Sequence, residues 1–455
     1  MNTKKIVFWF GVWLLLSMFC NDMTNYGNLR LGINIRLDRI ALFILICTFF
    51  REYSKRPKRV ALNRVEVQMW LFFLISFASC VAFGGIYAAH HRHIANLINF
   101  AIIPAFLFYI ARRITFDLDA FLYLMRFFKV VGLYLGITGI LEHYSVEALI
   151  FPSYIMDPYV GLHFGRSRGP FGNSVVMGGA LCLIFFWVLW EQIHVKRSPL
   201  NLVVLAVTLI SIYFTDTRSA WLMFATSVAV LAIITKQLRK PCLAVATVLL
   251  VVYVSGVASK FSIYQPTLFS RRQGPVDDRK NIIHASYLMF QDRPILGFGY
   301  GNFLKYSPPY FKEMEGVALR GEGEGQHNTL LGLLSELGLV GTIPFCCIYY
   351  FFLKVSYQKC RGFLRANRVE KEIAGTQLAL LVGLLVYMQC SDIRFFNIVN
   401  CIVFWMAGAV CFTSKPVNKE TKPAVPKEAE LAAPDSAYSL RRTPERIGGS
   451  AFLRT

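Results

Sequence analysis

Residues 260–327 read KFSIYQPTLFSRRQGPVDDRKNIIHASYLMFQDRPILGFGYGNFLKYSPPYFKEMEGVALRGEGEGQH. This polar stretch is the only long segment of the first 412 residues that cannot enter a lipid bilayer, and mostly apolar sequence precedes it. Binding and catalytic residues are often carried by loops on a rigid scaffold. We therefore expect this loop, which ends at His327, to carry the chemistry of the protein.

The composition of the chain is that of a membrane protein. Of the 455 residues, 55% are hydrophobic and only 16% are charged, whereas about 25% are charged in a soluble globular protein. The apolar residues occur in long blocks and not in strand-like alternation, so helices and not a barrel are expected to satisfy the backbone inside the membrane. The composition therefore predicts an all-α, polytopic membrane protein.

The apolar blocks predict about twelve transmembrane helices, each near the length that a bilayer requires. The first block follows a basic N-terminus and resembles a secretory signal, but it lacks a cleavage signature and we interpret it as a short first span. The predicted spans cover residues 6–20, 37–50, 67–89, 94–111, 121–141, 174–190, 200–214, 219–235, 241–259, 328–353, 373–390 and 397–412. Residues 1–412 are thus predicted to form one transmembrane domain, with the loop of residues 260–327 between helices 9 and 10.

The basic residues indicate the orientation of this domain. With the N-terminus in the cytoplasm, the loops on that side hold most of the lysines and arginines, at positions 51–64, 112–113, 196–197, 236–240 and 354–371. The positive-inside rule then predicts that both termini are cytoplasmic and that the large loop lies on the far face. This bias explains most of the net charge of +21 without a nucleic-acid partner. Residues 413–455 are predicted to be a disordered cytoplasmic tail.

Five residues on the far face are candidates for binding or catalysis. They are Arg166 and Arg168 in a Gly/Pro-rich loop, Arg218 at the start of an uncharged span, and Arg279 and His327 in the large loop. The fork of an arginine fits phosphate oxygens in pairs, so arginines at the outer boundary of the bilayer favour a lipid-linked pyrophosphate. The plain alternatives are arginines that snorkel or pair with a neighbouring aspartate and a histidine satisfied by water, although histidine can exchange a proton near neutral pH.

An amphipathic helix is predicted within the large loop. Apolar residues recur at helical spacing between residues 281 and 291, and such a helix would lie on the outer surface. Asp277 or Asp278 is expected to cap its N-terminus, and Pro294 to end it. Arg279 would then lie in the first turn, where backbone N–H groups also point at anions. A simple pair between Asp277 and Arg279 is the alternative.

Three groups of residues together resemble the O-antigen ligase superfamily, which includes lipid A core–O-antigen ligases, O-antigen and exopolysaccharide polymerases and protein O-oligosaccharyltransferases. The groups are Thr215-x-Thr217-Arg218-Ser219, Arg279 followed by Pro294-x-x-Gly297-x-Gly299-x-x-x-Phe303, and His327-Asn328-x-x-Leu331 followed by Glu336-x-Gly338-x-x-Gly341. The resemblance covers roughly residues 201–352.

The resemblance implies a GT-C-like glycosyltransferase of the bacterial inner membrane. Its donor would be a glycan on undecaprenyl diphosphate, used at the periplasmic face, and its acceptor a glycan or the lipid A core. Arg218 and Arg279 would bind the diphosphate and stabilise it as it leaves, and His327 would act on the attacking sugar hydroxyl. Which of Arg166 and Arg168 contributes is left open. No cofactor or metal is expected, and no Cys/His group has metal-binding spacing.

Two other classes of function fit a polytopic helical protein. A transporter or flippase of lipid-linked oligosaccharides would use charged or broken helices near the middle of the membrane, and it would not need His327. An assembly scaffold would leave the arginine cluster unexplained. We therefore favour the enzyme, and its sequence is compatible with either ligase or polymerase activity.

Overall fold

The computed structural model describes residues 2–20, 28–30, 34–55, 60–84, 91–235, 239, 273–364 and 366–412, and these residues are mainly helical. The helices before the large loop are α1 (Thr3–Phe19), α2 (Leu37–Tyr53), α3 (Arg64–Gly84), α4 (His91–Leu97), α5 (Ile103–Arg113), α6 (Leu118–His143), α7 (Ser174–His194), α8 (Pro199–Phe214) and α9 (Arg218–Ile234). The large loop contains α10 (Gln273–Asp292) and α11 (Phe303–Tyr306). The helices after it are α12 (Thr329–Arg361), α13 (Arg368–Cys390) and α14 (Asn397–Met406).

Short irregular elements join some of these helices. Strands β1 (Asn28–Arg30) and β2 (Asn34–Arg36) form an antiparallel pair between α1 and α2. A π-helical turn, Ile98–Ile102, joins α4 to α5, and a second one, Ala407–Cys411, follows α14. The strand pair was not predicted, because strands of three residues are too short to show the period-2 pattern that marks a strand in sequence.

Six helices within the described residues are long and apolar enough to cross a membrane. They are Arg64–Phe83, His93–Arg113, Leu118–His143, Ser174–His194, Thr329–Arg361 and Arg368–Cys390, and three shorter apolar helices are Pro199–Phe214, Arg218–Ile234 and Asn397–Val410. The multi-pass helical class is therefore confirmed. The predicted span at 241–259 and the predicted tail at 413–455 lie outside the described residues, so the count of twelve spans stays a prediction.

Helix α7 lies at the centre of the bundle, since 89% of the residues in its apolar 18-residue stretch are buried. It packs against α6, α8, α9 and α13. Small residues allow the close approach: a side chain at Gly178 would overlap Ala220 of α9, and one at Gly179 would press on Tyr387 of α13. The hydrophobic effect does not drive helices together in lipid, so close packing at small residues contributes much of the association.

Helix α10 corrects the prediction for the loop. It begins at Gln273, so Asp277 and Asp278 lie inside the helix and do not cap it, and Arg279 lies in the second turn and not the first. Pro275 provides the physical reason. Proline is tolerated in the first turn of a helix, where its missing N–H would have no intrahelical acceptor.

The amphipathic character of α10 is as predicted. Ile282, Ala285 and Met289 are buried, whereas Ile283 and Tyr287 on the other side are exposed. The buried side packs on α12 and shares a small apolar cluster with Phe298 and Phe303. This packing holds α10 against the bundle.

Candidate functional site

One cavity of about 1330 Å³ lies at the end of the bundle where α7, α9, α12 and α14 begin and where α1 and α13 end. Four of the five predicted site residues line it: Arg166, Arg218, Arg279 and His327. These residues come from the loop after α6, from α9, from α10 and from the segment before α12. The fold therefore brings together side chains that are far apart in the chain.

The charges around this cavity favour an anionic ligand. Arginines outnumber carboxylates among the described residues that line it, which are Arg36, Arg166, Arg218, Arg279 and Arg394 against Asp216, Glu324 and Asp392. Guanidinium groups bind phosphate oxygens through charge-assisted hydrogen bonds. In the same described part of the chain, no three His, Cys, Asp or Glu side chains are grouped so as to hold a metal ion.

Arg218 is held at the cavity by the tight turn between α8 and α9. Helix α8 ends at Phe214, Asp216 adopts a left-handed backbone conformation with φ of 44°, and α9 begins at Arg218. The Thr217 hydroxyl donates a hydrogen bond to the carbonyl of Thr215 at 3.0 Å. A cation in the first turn opposes the helix macrodipole, so the position of Arg218 needs a reason other than helix stability.

Arg166 and Arg168 lie in one loop but have different surroundings. The guanidinium of Arg166 lines the cavity and lies 3.6 Å from the carboxylate of Asp216. The backbone N–H between these two arginines, that of Ser167, donates to the carbonyl of Phe214 at the end of α8. The loop is thereby fixed beside the turn that carries Arg218.

Arg168 does not reach the cavity, and its expected role in substrate binding is corrected. The side chain is 1% exposed. Its guanidinium donates to the carbonyls of Val160 and Ile155, each at 2.6 Å, and its Nε lies 3.4 Å from Glu142. Glu142 also accepts the backbone N–H groups of Arg168 and Gly169, each at 2.8 Å. Arg168 holds its own loop together.

The glycine motifs place α10, and hence Arg279, relative to His327. The turn after α10 lies across a break in α12, and four backbone hydrogen bonds join them. They are Phe298 N–H to Ser335 O, Gly299 N–H to Glu336 O, Leu339 N–H to Pro294 O and Val340 N–H to Ile295 O. The break is at Gly338, with φ of 59° and ψ of −160°. A Cβ at Gly338 would overlap the Ile295 carbonyl, and one at Gly297 would overlap the Glu336 carbonyl, so only glycine fits either position.

A buried ionic network around Glu336 stabilises this junction. Glu336 is 2% exposed and accepts the backbone N–H groups of Gly301 at 2.8 Å and Phe303 at 3.2 Å. It also pairs with Arg394, which in turn binds Asp392 at 2.6 Å. Burial opposes the charge of Arg394, but the carboxylates of Asp392 and Glu336 outweigh burial and raise its pKa. The glutamate inside the predicted tenth span is thus compensated by an ion pair.

His327 lies at the N-terminus of α12, one residue before the helix N-cap. Asn328 caps α12 by accepting the N–H of Leu331 at 3.0 Å. The Nε2 atom of His327 lies 3.5 Å from a carboxylate oxygen of Glu324, and the histidine side chain is 36% exposed. A carboxylate at that distance orients an imidazole and balances the charge of a proton that it takes up.

His163 is a second histidine in the cavity, and it was not among the candidates predicted from the sequence. It lies in the loop after α6, and its Nδ1 is 3.1 Å from the Ser174 hydroxyl. His163 is an exposed residue, but the surrounding protein still removes part of the water from its ring. This loss of water lowers the pKa of His163 to about 4, and the positive charges of Arg166, His327 and Arg279 add to the effect.

Arg394 and Asp392 are further cavity residues that were given no role from the sequence. They lie in the short connection between α13 and α14. One signal in the sequence was a glutamate, Glu336, within an apolar span, because a carboxylate buried there needs a cation as a partner. The identity of that cation depends on how α13 and α14 pack on α12, which the order of residues in the chain does not reveal.

Comparison with known families bears on the same residues. A family model described as O-Antigen ligase matches residues 201–346, which confirms the resemblance to the O-antigen ligase superfamily. The matched segment contains Arg218, Arg279 and His327, whereas Arg166 precedes it. A comparison with curated proteins finds no match.

Proposed function

We propose that this protein is a metal-independent, GT-C-like membrane glycosyltransferase of the O-antigen ligase type. The donor is a glycan linked to undecaprenyl diphosphate, and the acceptor is a sugar hydroxyl of another glycan or of the lipid A core. The reaction takes place at the periplasmic face of the bacterial inner membrane, with both termini in the cytoplasm. The observation that carries the proposal is that Arg218, Arg279 and His327 line the same cavity.

The diphosphate of the donor binds between Arg218 and Arg279. Arg218 lies in the first turn of α9, where backbone N–H groups also favour an anion, and Arg279 faces the same cavity from α10. Both arginines line the cavity, so an anionic ligand bound there can contact both. Arg166 extends the same positive surface.

The cavity also suits the lipid part of the donor. Apolar side chains line it beside the arginines, namely Phe171, Val175, Val176 and Ile398. A lipid diphosphate has both an anionic head and an apolar tail, so it matches a surface that changes from cationic to apolar over a short distance.

The proposed chemistry is a glycosyl transfer. The acceptor hydroxyl attacks the anomeric carbon, a new C–O bond forms while the C–O bond to the diphosphate breaks, and the diphosphate leaves with the electron pair. Arg218 and Arg279 stabilise the charge that develops on it, which is the role a metal ion has in other transferases. His327 orients the hydroxyl or takes its proton, and Glu324 balances the positive charge.

Complementation of a gene deletion tests the proposal. In the native bacterium, deletion should remove the polymer or the glycan attached to lipid A, while the undecaprenyl-linked glycan accumulates. Arg218→Ala, Arg279→Ala and His327→Ala should each fail to restore the product although the proteins are inserted in the membrane. Lys280→Ala is the matched control, because Lys280 is exposed beside Arg279 but does not line the cavity.

The same experiment separates the enzyme from a transporter. A flippase would leave its substrate on the cytoplasmic face and would function without His327. Full restoration of the product by His327→Ala would therefore contradict the proposed glycosyl transfer.

A further inference from the structure

His163 has an unusual backbone conformation for a non-glycine residue. Its φ is 62°, in the left-handed region that few non-glycine residues adopt. Such conformations are found at binding and catalytic sites, where the surrounding structure maintains them. Here the ring is held by a buried hydroxyl: Ser174 is 0% exposed, and its neighbour Thr217 is 5% exposed.

The hydrogen bonds behind the ring determine which nitrogen carries the proton. The Thr217 hydroxyl lies 3.0 Å from the Thr215 carbonyl, and a carbonyl can only accept, so the single hydroxyl proton of Thr217 is used there. The hydroxyls of Ser174 and Thr217 are 3.2 Å apart, and the assignment that gives each contact its own proton has Ser174 donate to Thr217. In that assignment the contact of 3.1 Å between Ser174 and His163 Nδ1 is a hydrogen bond donated by Nδ1–H.

We infer that His163 is a positioning residue whose unprotonated Nε2 accepts a hydrogen bond from a sugar hydroxyl bound in the cavity. In the neutral ring with a proton on Nδ1, Nε2 is a bare acceptor, and it is the nitrogen that Ser174 leaves available to a ligand. The inference rests on the proposed glycosyl transfer and adds the chemical class of group that this side of the cavity binds.

A sugar hydroxyl fits Nε2 better than a phosphate does. A phosphate oxygen has no proton to donate, and its negative charge would face the lone pair of the ring. A hydroxyl can donate to Nε2 while the arginines bind the diphosphate. The charged and titratable groups around His163 are Arg166 and Arg168 on its own loop, Asp216 and Arg218 at the start of α9, Arg279 on α10, and Glu324 and His327 before α12.

His163 does not receive the proton in this scheme. Protein burial and the neighbouring cations keep its pKa at about 4, so the ring holds a hydrogen bond at neutral pH but retains a proton poorly. If a histidine takes the proton of the attacking hydroxyl, that histidine is His327, which then passes the proton to water. His163 acts by fixing the orientation of a sugar relative to the anomeric carbon and the diphosphate.

Two substitutions separate this role from a purely structural one. His163→Asn keeps a donor near the Nδ1 position but removes the acceptor at Nε2, and asparagine tolerates the left-handed backbone. His163→Gln keeps an acceptor near the Nε2 position but loses the bond to Ser174. If Nε2 positions a sugar, the Asn variant should transfer glycan about tenfold more slowly than the wild type, and the Gln variant should retain more activity than the Asn variant.

Each variant is expressed as the full chain in the deletion strain, and glycan transfer is measured in isolated membranes. His284→Asn is the matched control, since His284 lies on α10 but does not line the cavity. Ser174→Ala should also slow transfer, because without the Ser174 oxygen nothing holds the ring proton on Nδ1 and Nε2 is no longer kept unprotonated. This variant gives a second measurement if a His163 variant is poorly folded. Wild-type transfer by His163→Asn, or higher transfer by His163→Asn than by His163→Gln, would overturn the inference.

Binding measurements identify the sugar that supplies the hydroxyl. Purified wild-type and His163→Asn proteins are compared with undecaprenyl diphosphate, which has no sugar, and with the lipid-linked glycan extracted from the deletion strain. Weaker binding of only the lipid-linked glycan places the hydroxyl on the donor, and unchanged binding of both with slow transfer places it on the acceptor. If the deletion itself leaves all glycans unchanged, the proposed function fails, and not only the role of His163.

Discussion

Arg166 and Arg168 are two positions apart, yet their surroundings give them different roles. The guanidinium of Arg168 is enclosed by the carbonyls of Val160 and Ile155 and by Glu142. Arg166 faces the cavity beside Asp216. A pattern of residue types predicted that arginines gather here, but the difference between the two depends on the path of the loop after α6.

This difference predicts separate effects of two substitutions. Arg168→Ala leaves the carboxylate of Glu142 buried without its cation, and breaking one partner of a buried pair costs about 3–5 kcal/mol. We expect a marked drop in thermal stability of the purified protein in detergent. Arg166→Ala should unfold at nearly the wild-type temperature but transfer glycan more slowly. A stable Arg168→Ala protein would show that the buried pair is dispensable.

The pKa of His163 predicts a difference in acid sensitivity. The folded protein holds it at about 4, below the value of about 6.5 for an unperturbed histidine. Its contribution to stability is therefore present above pH 6.5 and is lost as the pH falls toward 4, because the unfolded chain takes up the proton first. The unfolding temperature of the wild type should fall more between pH 7 and pH 4.5 than that of His163→Asn. An equal fall in both proteins would contradict the low pKa.

At the scale of elements, the junction between α10 and α12 explains why glycines recur in both. The turn of residues 294–302 and the break at Gly338 approach so closely that a Cβ on either side would overlap a carbonyl of the other. The four backbone hydrogen bonds across the junction fix α10, which carries Arg279, to α12, which follows His327. The motif residues are therefore chiefly structural, and they set the position of α10, which carries Arg279, relative to α12.

Gly338→Ala should disrupt this junction. Alanine at φ of 59° and ψ of −160° is strained by about 1–3 kcal/mol, and the overlap with the Ile295 carbonyl adds to this. Gly316→Ala is the control, since φ is also positive, at 71°, but nothing lies within 4 Å of the added Cβ. The folded yield in size-exclusion chromatography should fall strongly for Gly338→Ala and little for Gly316→Ala. Equal yields would show that the junction tolerates a side chain.

The sequence predicted the existence and amphipathic side of α10 but not its start. The apolar spacing at Ile282 and Met289 depends only on local periodicity, which a sequence shows directly. The start was placed too late because the aspartates at 277 and 278 are good caps, while Pro275 is an equally valid mark of a first turn. The docking of α10 on α12 joins residues about forty positions apart, and no local pattern predicts such a contact.

For the whole molecule, hydropathy was sufficient to predict a multi-pass helical protein. The helices α3, α6, α7, α12 and α13 all lie where apolar blocks occur in the sequence. The sequence also predicted that Arg218, Arg279 and His327 belong together, through a family resemblance and not through physics. His163, Asp392 and Arg394 were missed because tertiary packing brings them to the cavity.

The predicted orientation is testable with reporter fusions. The basic residues place the large loop in the periplasm and both termini in the cytoplasm. Alkaline phosphatase, which is active only in the periplasm, should be active when inserted after Arg320, and a green fluorescent protein fused after Thr455 should fluoresce. Phosphatase inserted after Lys196 should be inactive. The opposite pattern would place the cavity on the cytoplasmic side.

The most direct measurement is the binding of undecaprenyl diphosphate to the purified protein in detergent. Wild type and His327→Ala should bind with the same affinity, because the imidazole acts on the sugar hydroxyl and not on the diphosphate. Arg218→Ala and Arg279→Ala should each bind at least about tenfold more weakly, since each loses a charge-assisted contact to phosphate. Unchanged affinity in both arginine variants would contradict a shared diphosphate site formed by α9 and α10.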